Sequence, residues 1–220
     1  DGRDVTLEEQ AMMTNQNPDE MGLPIDEAVK RLNQSAEYKT LFKKIFKQAP
    51  TAKNLAAAFA AYEKTLETVD SKFDDWSNNL KKLTAQEERG RELFVGDKAK
   101  CFDCHRMEDF TTDEFKNIGL YNEIELNDAG LFNITKKETD KGKFKIPGLR
   151  NIGVTAPYMH NGMFKTLEEV VNYYNNPIQF VKDGINTDEL LQKPLGLTER
   201  EKKDLVAFLK TLTDKKYLRK

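Results

Sequence analysis

The sequence predicts an all-α protein, and three observations carry that expectation. A Thr followed three positions later by Glu, a helix-start signature, recurs at Thr6–Glu9, Thr84–Glu87, Thr166–Glu169 and Thr198–Glu201. Apolar residues downstream of these caps repeat at steps of three and four. Stretches with strand-like alternation are too short to support a sheet. At 220 residues the chain is long enough for one large domain or two small ones with a real core.

Taken in order, Thr6 with Glu9 starts a short helix that the Asn-Gln-Asn-Pro run at 15–18 ends. Pro24 to Leu32 reads as a short amphipathic helix, and Ser35 caps another carrying Leu41, Phe42, Ile45 and Phe46. Thr51 opens the strongest helix of this half. Leu55, Phe59, Tyr62, Leu66 and Val69 alternate steps of four and three, an apolar stripe on one face, and the alanines between them allow close helix approach. Asp70-Ser71 breaks the pattern. Residues 71–83, with Phe73 and Trp76 on a charged segment, read as a crossover between two lobes.

Thr84 with Glu87 begins a helix carrying Gly90, Leu93 and Phe94, and Cys101-Phe102-Asp103-Cys104-His105 follows. Two cysteines three positions apart share one face of a helical turn. Both sulfurs can then reach the two vinyl groups of one haem and form thioethers, and the adjacent histidine is directed at the iron from the same side. A redox dithiol, half of a zinc site and a chance pairing of buried cysteines compete with this reading. Zinc needs about four ligands, and His160 is the only other Cys or His in the chain. A redox CxxC sits at a strand end in a βαβ pattern, and none is visible. The motif therefore points to one covalent haem c.

Residues 106–147 are rich in Gly, Asn, Asp and Lys and read as loop wrapped over a cofactor. Thr166 and Glu169 then cap a helix with Leu167, Val170, Val171 and Tyr174 on one side, and Thr198 with Glu201 begins the last helix, striped by Leu205, Phe208, Leu209 and Leu212. A glycine, an aromatic and then CxxCH resembles the first helix of class I cytochrome c domains, where the N-terminal helix crosses a C-terminal one at a small residue. Residues 84–220 are thus expected to form a class I cytochrome c-like haem domain.

Charged residues make up 33% of the chain, yet Lys plus Arg (35) nearly balance Asp plus Glu (37) for a net charge of −2. This points to no nucleic acid and no anionic membrane as partner. No run approaches the roughly eighteen apolar residues of a membrane span. No signal-peptide pattern is present, so a mature or truncated chain is expected.

Three blocks together resemble the bacterial di-haem cytochrome c peroxidase family, which includes methylamine dehydrogenase maturation-type enzymes. They are DGR…TLEEQA…NPDEMG at 1–22, GRELFVGDKAKCFDCH at 90–105 and IPGLRNIGVTAPYMHNG…TLEEVVNYYN at 146–175. Family members have two cytochrome c lobes, each with its own CxxCH. The resemblance implies that residues 1–70 are the C-terminal part of the first, peroxidatic lobe, whose haem and helices belong to a missing N-terminal portion. It implies Gln10 and Glu20 as the distal pair acting on hydrogen peroxide, a carboxylate moving a proton and an amide orienting the substrate. It gives His105 as proximal iron ligand and Tyr174, where peroxidases carry methionine, as the sixth ligand. Met163 and Met159 remain alternatives, as does plain packing of Tyr174. Arg150 is a candidate partner of a haem propionate, His160 a hydrogen-bonding neighbour of the haem, and Thr155 and Pro157 carbonyl ligands of a calcium. The expected setting is periplasmic or otherwise exported. Expected partners are a small cytochrome c or cupredoxin electron donor or a protein substrate, and a second copy in a homodimer. The rival reading is a mono-haem electron-transfer cytochrome without catalytic activity; a third is a subunit whose haem is structural.

Overall fold

The computed structural model describes residues 1–106 and 108–218. The chain divides between Glu67 and Thr68 into two compact units, Arg3–Glu67 and a larger one that begins at Thr68 and also holds Asp1–Gly2.

The smaller unit is built from α1 (Leu7–Gln16), α2 (Ile25–Gln34), α3 (Ala36–Phe46) and α4 (Ala52–Glu63). The cap of α1 is reciprocal: the Glu9 amide donates to Thr6 Oγ1 at 3.1 Å and the Thr6 amide to Glu9 Oε2 at 3.1 Å. Thr51 and Asn54 form the same box on α4. Ala28, Phe42 and Leu55 make the core, with Met12, Val29, Leu32 and Phe46 packed around it.

The apolar stripe expected on α4 is not the buried face. The helix ends at Glu63, and of the five striped residues only Leu55 is buried; Phe59 and Tyr62 are 38% and 63% exposed. The buried face carries Ala56 and Ala60, and α1 lies against α4. Helix spacing depends on the side chains at the contact, so the small residues rather than the large ones receive the neighbouring helix.

The larger unit begins with α5 (Lys72–Ser77), α6 (Ala85–Val95) and α7 (Cys101–Cys104). It continues with β1 (Phe115–Lys116), α8 (Phe132–Thr135) and β2 (Phe144–Lys145), then α9 (Leu167–Asn175), α10 (Pro177–Phe180) and α11 (Glu199–Lys210). The segment 71–83, read from the sequence as a crossover, holds α5. Its Phe73 is buried in the core, with ring centroids 5.0 Å from Phe110 and 6.0 Å from Phe208. Alternating sequence is not needed for the short β1–β2 ladder, which pairs two residues on each side antiparallel (Phe115 with Lys145, Lys116 with Phe144).

The terminal helices α6 and α11 cross at Gly90. A Cβ there would overlap the Asp204 carbonyl oxygen and lie 2.9 Å from Phe208 Cβ, so only glycine lets the two backbones meet. Arg89 pins the crossing with two bonds to the buried Asp204 carboxylate, at 2.8 and 3.0 Å. Between the helices, Phe94, Phe208 and Leu212 are fully buried. The long loops are tied by one buried side chain, Asn117. Its Nδ2 donates to the carbonyls of Lys141 and Ile185 at 2.9 and 2.8 Å, and its Oδ1 accepts from the Gly119 amide at 2.8 Å. Among the described residues, no helix is long and apolar enough to cross a membrane.

Candidate functional site

The site is a cavity of about 650 Å³ within the larger unit, walled mainly by apolar side chains. Cys101, Cys104 and His105 line it from α7, Val170 and Tyr174 from α9, Leu205 and Leu209 from α11, and Ile146, Leu149 and Met159 from the loops. The volume falls in the range of cofactor pockets.

The cysteine pair opens into this cavity as free thiols. Burial pushes the Cys101 thiol up to about 12 and raises that of Cys104, where Lys116 partly opposes the shift. A catalytic dithiol works through a depressed thiol, and burial here acts on both thiols in the opposite direction. Among the described residues, no group of three or more His, Cys, Asp and Glu is arranged to hold a metal ion.

His105 caps the C-terminus of α7 and its ring Nδ1 lies 2.8 Å from the Phe110 carbonyl oxygen. With a carbonyl as its acceptor Nδ1 carries the proton, and the Pro147 carbonyl is a second backbone partner within reach of the ring. Burial lowers the histidine's pKa and keeps the imidazole neutral, the form that ligates iron. Phe110 is fully buried and holds a left-handed backbone, φ +57°. Two thiols one turn apart, a neutral imidazole beside them and an apolar wall fit a covalently attached haem.

Tyr174 and its neighbour Tyr173 face different ways. Tyr174 borders the cavity, and burial, reinforced by the two cysteines, holds its phenol well above the usual range. A metal cation in the cavity is the kind of charge that would draw off this proton. Tyr173 was not singled out by sequence, yet it is fully buried and its hydroxyl donates to the Ile118 carbonyl at 2.5 Å. The adjacent Tyr-Tyr pair is the signal: two neighbouring helical residues point about 100° apart, so a helix that buries Tyr173 and half-buries Tyr174 is packed on more than one side.

The remaining candidates are distributed as follows. Met159 lines the cavity with φ +69°, whereas Met163 is outside that lining, 41% exposed, with Asn161 Nδ2 3.7 Å from its sulfur. His160 borders the cavity, and its ring stacks on Phe144 at 3.8 Å and 9°. Arg150 also borders the cavity, with Nη1 donating to both Asp74 oxygens at 3.0 and 3.2 Å and Nε to the Glu108 carbonyl at 2.9 Å. Thr155 and Pro157 are exposed on the turn that follows Ile152–Val154. Gln10 and Glu20 lie in the smaller unit, both exposed and bonded locally: Gln10 to Thr14 at 3.1 Å, Glu20 to Asn17 at 2.8 Å. Sequence spacing also missed the Lys116–Asp188 ion pair, 2.9 Å, on the cavity wall; Lys116 ends β1 and Asp188 lies 72 residues on, so the pair carries no periodic signal.

A CxxCH turn, a neutral histidine oriented by a carbonyl and two terminal helices crossing at glycine define a cytochrome c-like haem protein. The model of the family described as di-haem cytochrome c peroxidase matches residues 1–82. Methylamine utilization protein MauG of Methylorubrum extorquens is 37% identical over 217 residues, 96% of this chain and 59% of the relative. Cytochrome c peroxidase Ccp of Escherichia coli is 36% identical over 221 residues, 96% of this chain and 44% of the relative. The crystal structure of a MauG-like protein associated with microbial copper homeostasis superimposes with a TM-score of 0.84 at 35% identity, covering 97% of this chain and 70% of that one. The chain belongs to the di-haem cytochrome c peroxidase family. It spans about half the length of the two curated relatives, 59% and 44%.

Proposed function

We propose that this chain forms the electron-transfer part of a di-haem peroxidase-type oxidoreductase, which reduces hydrogen peroxide or uses it to oxidise a protein substrate. One observation carries the reading: both thiols, His105 and Tyr174 open onto the same apolar cavity. Cys101 and Cys104 would hold a haem c there through thioethers, with His105 and Tyr174 as the side chains that would ligate its iron. When bound, the haem supplies one-electron exchange between iron(III) and iron(II), and a tyrosinate donor favours the ferric state. Residues 84–220 are the cytochrome c-like lobe and residues 1–70 belong to a peroxidatic lobe with a second haem.

Peroxide reduction consumes two electrons and two protons and yields two waters. Glu20 takes a proton from one peroxide oxygen and returns it to the other as the O–O bond breaks, and the Gln10 amide orients the substrate. The carbonyls of Thr155 and Pro157 contribute to a calcium site, for which hard oxygen donors are suited. A small cytochrome c or cupredoxin supplies electrons, the protein works after export, and two copies associate as a homodimer.

The exposure and local bonding of Gln10 and Glu20 favour a second reading, a mono-haem electron carrier. Peroxide turnover by the complete protein with a reduced donor separates the two. The enzyme reading expects turnover that falls by about 10²-fold or more in Glu20→Gln, the contribution of a general acid–base. Absence of turnover with full haem content leaves the carrier.

A further inference from the structure

Directly after the haem-binding turn, the chain takes two left-handed steps at residues that are not glycine, Glu108 (φ +79°) and Phe110 (φ +57°). L-residues adopt this region only where the surroundings over-determine it. At Phe110 the fully buried ring provides one restraint, with centroids 5.0 Å from Phe73 and 5.9 Å from Phe94. Arg150 provides the other. Its Nε donates to the Glu108 carbonyl at 2.9 Å and lies 3.3 Å from Asp109 Oδ1, while its guanidinium stands 5.9 Å from the Phe110 ring centroid. Nη1 anchors this grip to Asp74, which is itself fixed by the Ser71 amide and hydroxyl at 2.9 and 2.6 Å. The backbone closes the same junction, with the Leu149 amide donating to the Asp109 carbonyl at 3.3 Å. A Cβ at Gly148 would lie 2.9 Å from that same carbonyl oxygen. What this grip presents is the Phe110 carbonyl, the acceptor of the His105 Nδ1–H bond.

We propose that Arg150, anchored by Asp74, is a positioning residue that holds the 108–110 turn so that the Phe110 carbonyl orients His105 toward the haem iron. This rests on the haem reading of the cavity. Hydrogen bonding from Nδ1 makes an imidazole a stronger donor, and loss of such outer partners typically changes metal-site properties by about 10–100-fold. A stronger donor favours the ferric state. Loosening the clamp therefore weakens the histidine donor and raises the reduction potential.

The test compares wild type with Arg150→Gln, Arg150→Lys and Asp74→Asn as haem-loaded proteins. Haem content by pyridine haemochrome comes first: a wild type without haem overturns the reading of the cavity, and the clamp with it. In haem-loaded samples, Arg150→Gln shifts the ferric–ferrous equilibrium about tenfold toward ferrous, ~59 mV for one electron. The hyperfine-shifted His105 ring protons move with it in the NMR spectrum. Asp74→Asn shifts both in the same direction by less, and Arg150→Lys restores neither fully, because lysine lacks the planar fork. Where Arg150→Gln yields no holoprotein, Asp74→Asn alone decides. Wild-type potential and His105 resonances in the loaded variants overturn the clamp. So does a potential shift that appears only above the pH at which a haem carboxylate ionises, with unmoved His105 resonances, since that marks Arg150 as a carboxylate partner.

Discussion

Gly90→Ala isolates the crossing that closes the haem lobe, because two physical effects oppose each other there. Within an isolated helix, alanine in place of glycine is favourable by about 1 kcal/mol. At the crossing, the added methyl overlaps the Asp204 carbonyl oxygen, lies 2.6 Å from its carbonyl carbon and 2.9 Å from Phe208 Cβ. Two of those atoms are backbone of α11, so no rotamer change clears them and the helices must separate. Overpacking of this kind costs about 1–3 kcal/mol or more. Separation additionally loosens Phe94, Leu205 and Phe208, all buried between the helices, and stretches the Arg89–Asp204 fork. The net expectation is a loss of about 3 kcal/mol, which for a chain of this size lowers Tm by roughly 6–12 °C. Thermal melts of the haem-loaded protein, followed in parallel by far-ultraviolet circular dichroism and the Soret band, measure it. A Tm that is unchanged or raised would mean that helix propensity prevails and that the crossing is looser than described.

Further outcomes are expected. Cys101→Ala combined with Cys104→Ala abolishes covalent haem, seen as loss of haem staining on a denaturing gel. If Tyr174 ligates the iron as proposed, Tyr174→Phe changes both the electron paramagnetic resonance spectrum and the reduction potential; unchanged values of both would leave Tyr174 as a packing residue and Met159 as the ligand to test. Tyr173→Phe leaves the Ile118 carbonyl without its partner in a fully buried setting and costs about 1–3 kcal/mol by denaturant titration. Glu201 is held down to about 2 by Lys98 and by the Thr198 amide and hydroxyl of its cap. A depressed carboxylate contributes stability above its unfolded value, near 4.5, and loses it as pH falls toward 2. Acid melts therefore steepen across that window in wild type and less so in Glu201→Gln.

Local signals in the sequence were legible where the physics is local. Each Thr-x-x-Glu box starts a helix at its predicted residue, because the cap depends only on atoms three positions apart. The CxxCH turn was legible for the same reason, whereas the glycine of the crossing, which meets Asp204 and Phe208, was expected only through the resemblance to class I cytochrome c domains. Features that depend on what arrives from elsewhere were not. The large residues of α4 imitate a core stripe, and only the approach of α1 shows that the alanines are the contact face. Arg150 reads as a free cation beside a cofactor until the fold brings it to Asp74 and Glu108, 76 and 42 residues away. Tyr173 was hidden beside Tyr174, since a four-residue stripe describes one wall of α9 while the helix is packed on more than one. Phe110 carries no sequence mark at all: neither its left-handed backbone nor the destination of its carbonyl follows from its neighbours.

The crossing of α6 and α11 also sets an order of events in the making of the protein. Arg89 and Asp204 are 115 residues apart, so the contact that shuts the lobe forms only after the chain has been made as far as Asp204. Contacts this distant in sequence are slow to form, since the loop between them must lose its freedom first. Phe94 on one side of the crossing and Leu205 and Leu209 on the other are cavity walls, so the cavity has no roof until then. Until then the Cys101 side chain lies outside the burial that raises its thiol in the folded chain, and the length of that interval is governed by a glycine and an ion pair at a crossing in which the cysteines take no part.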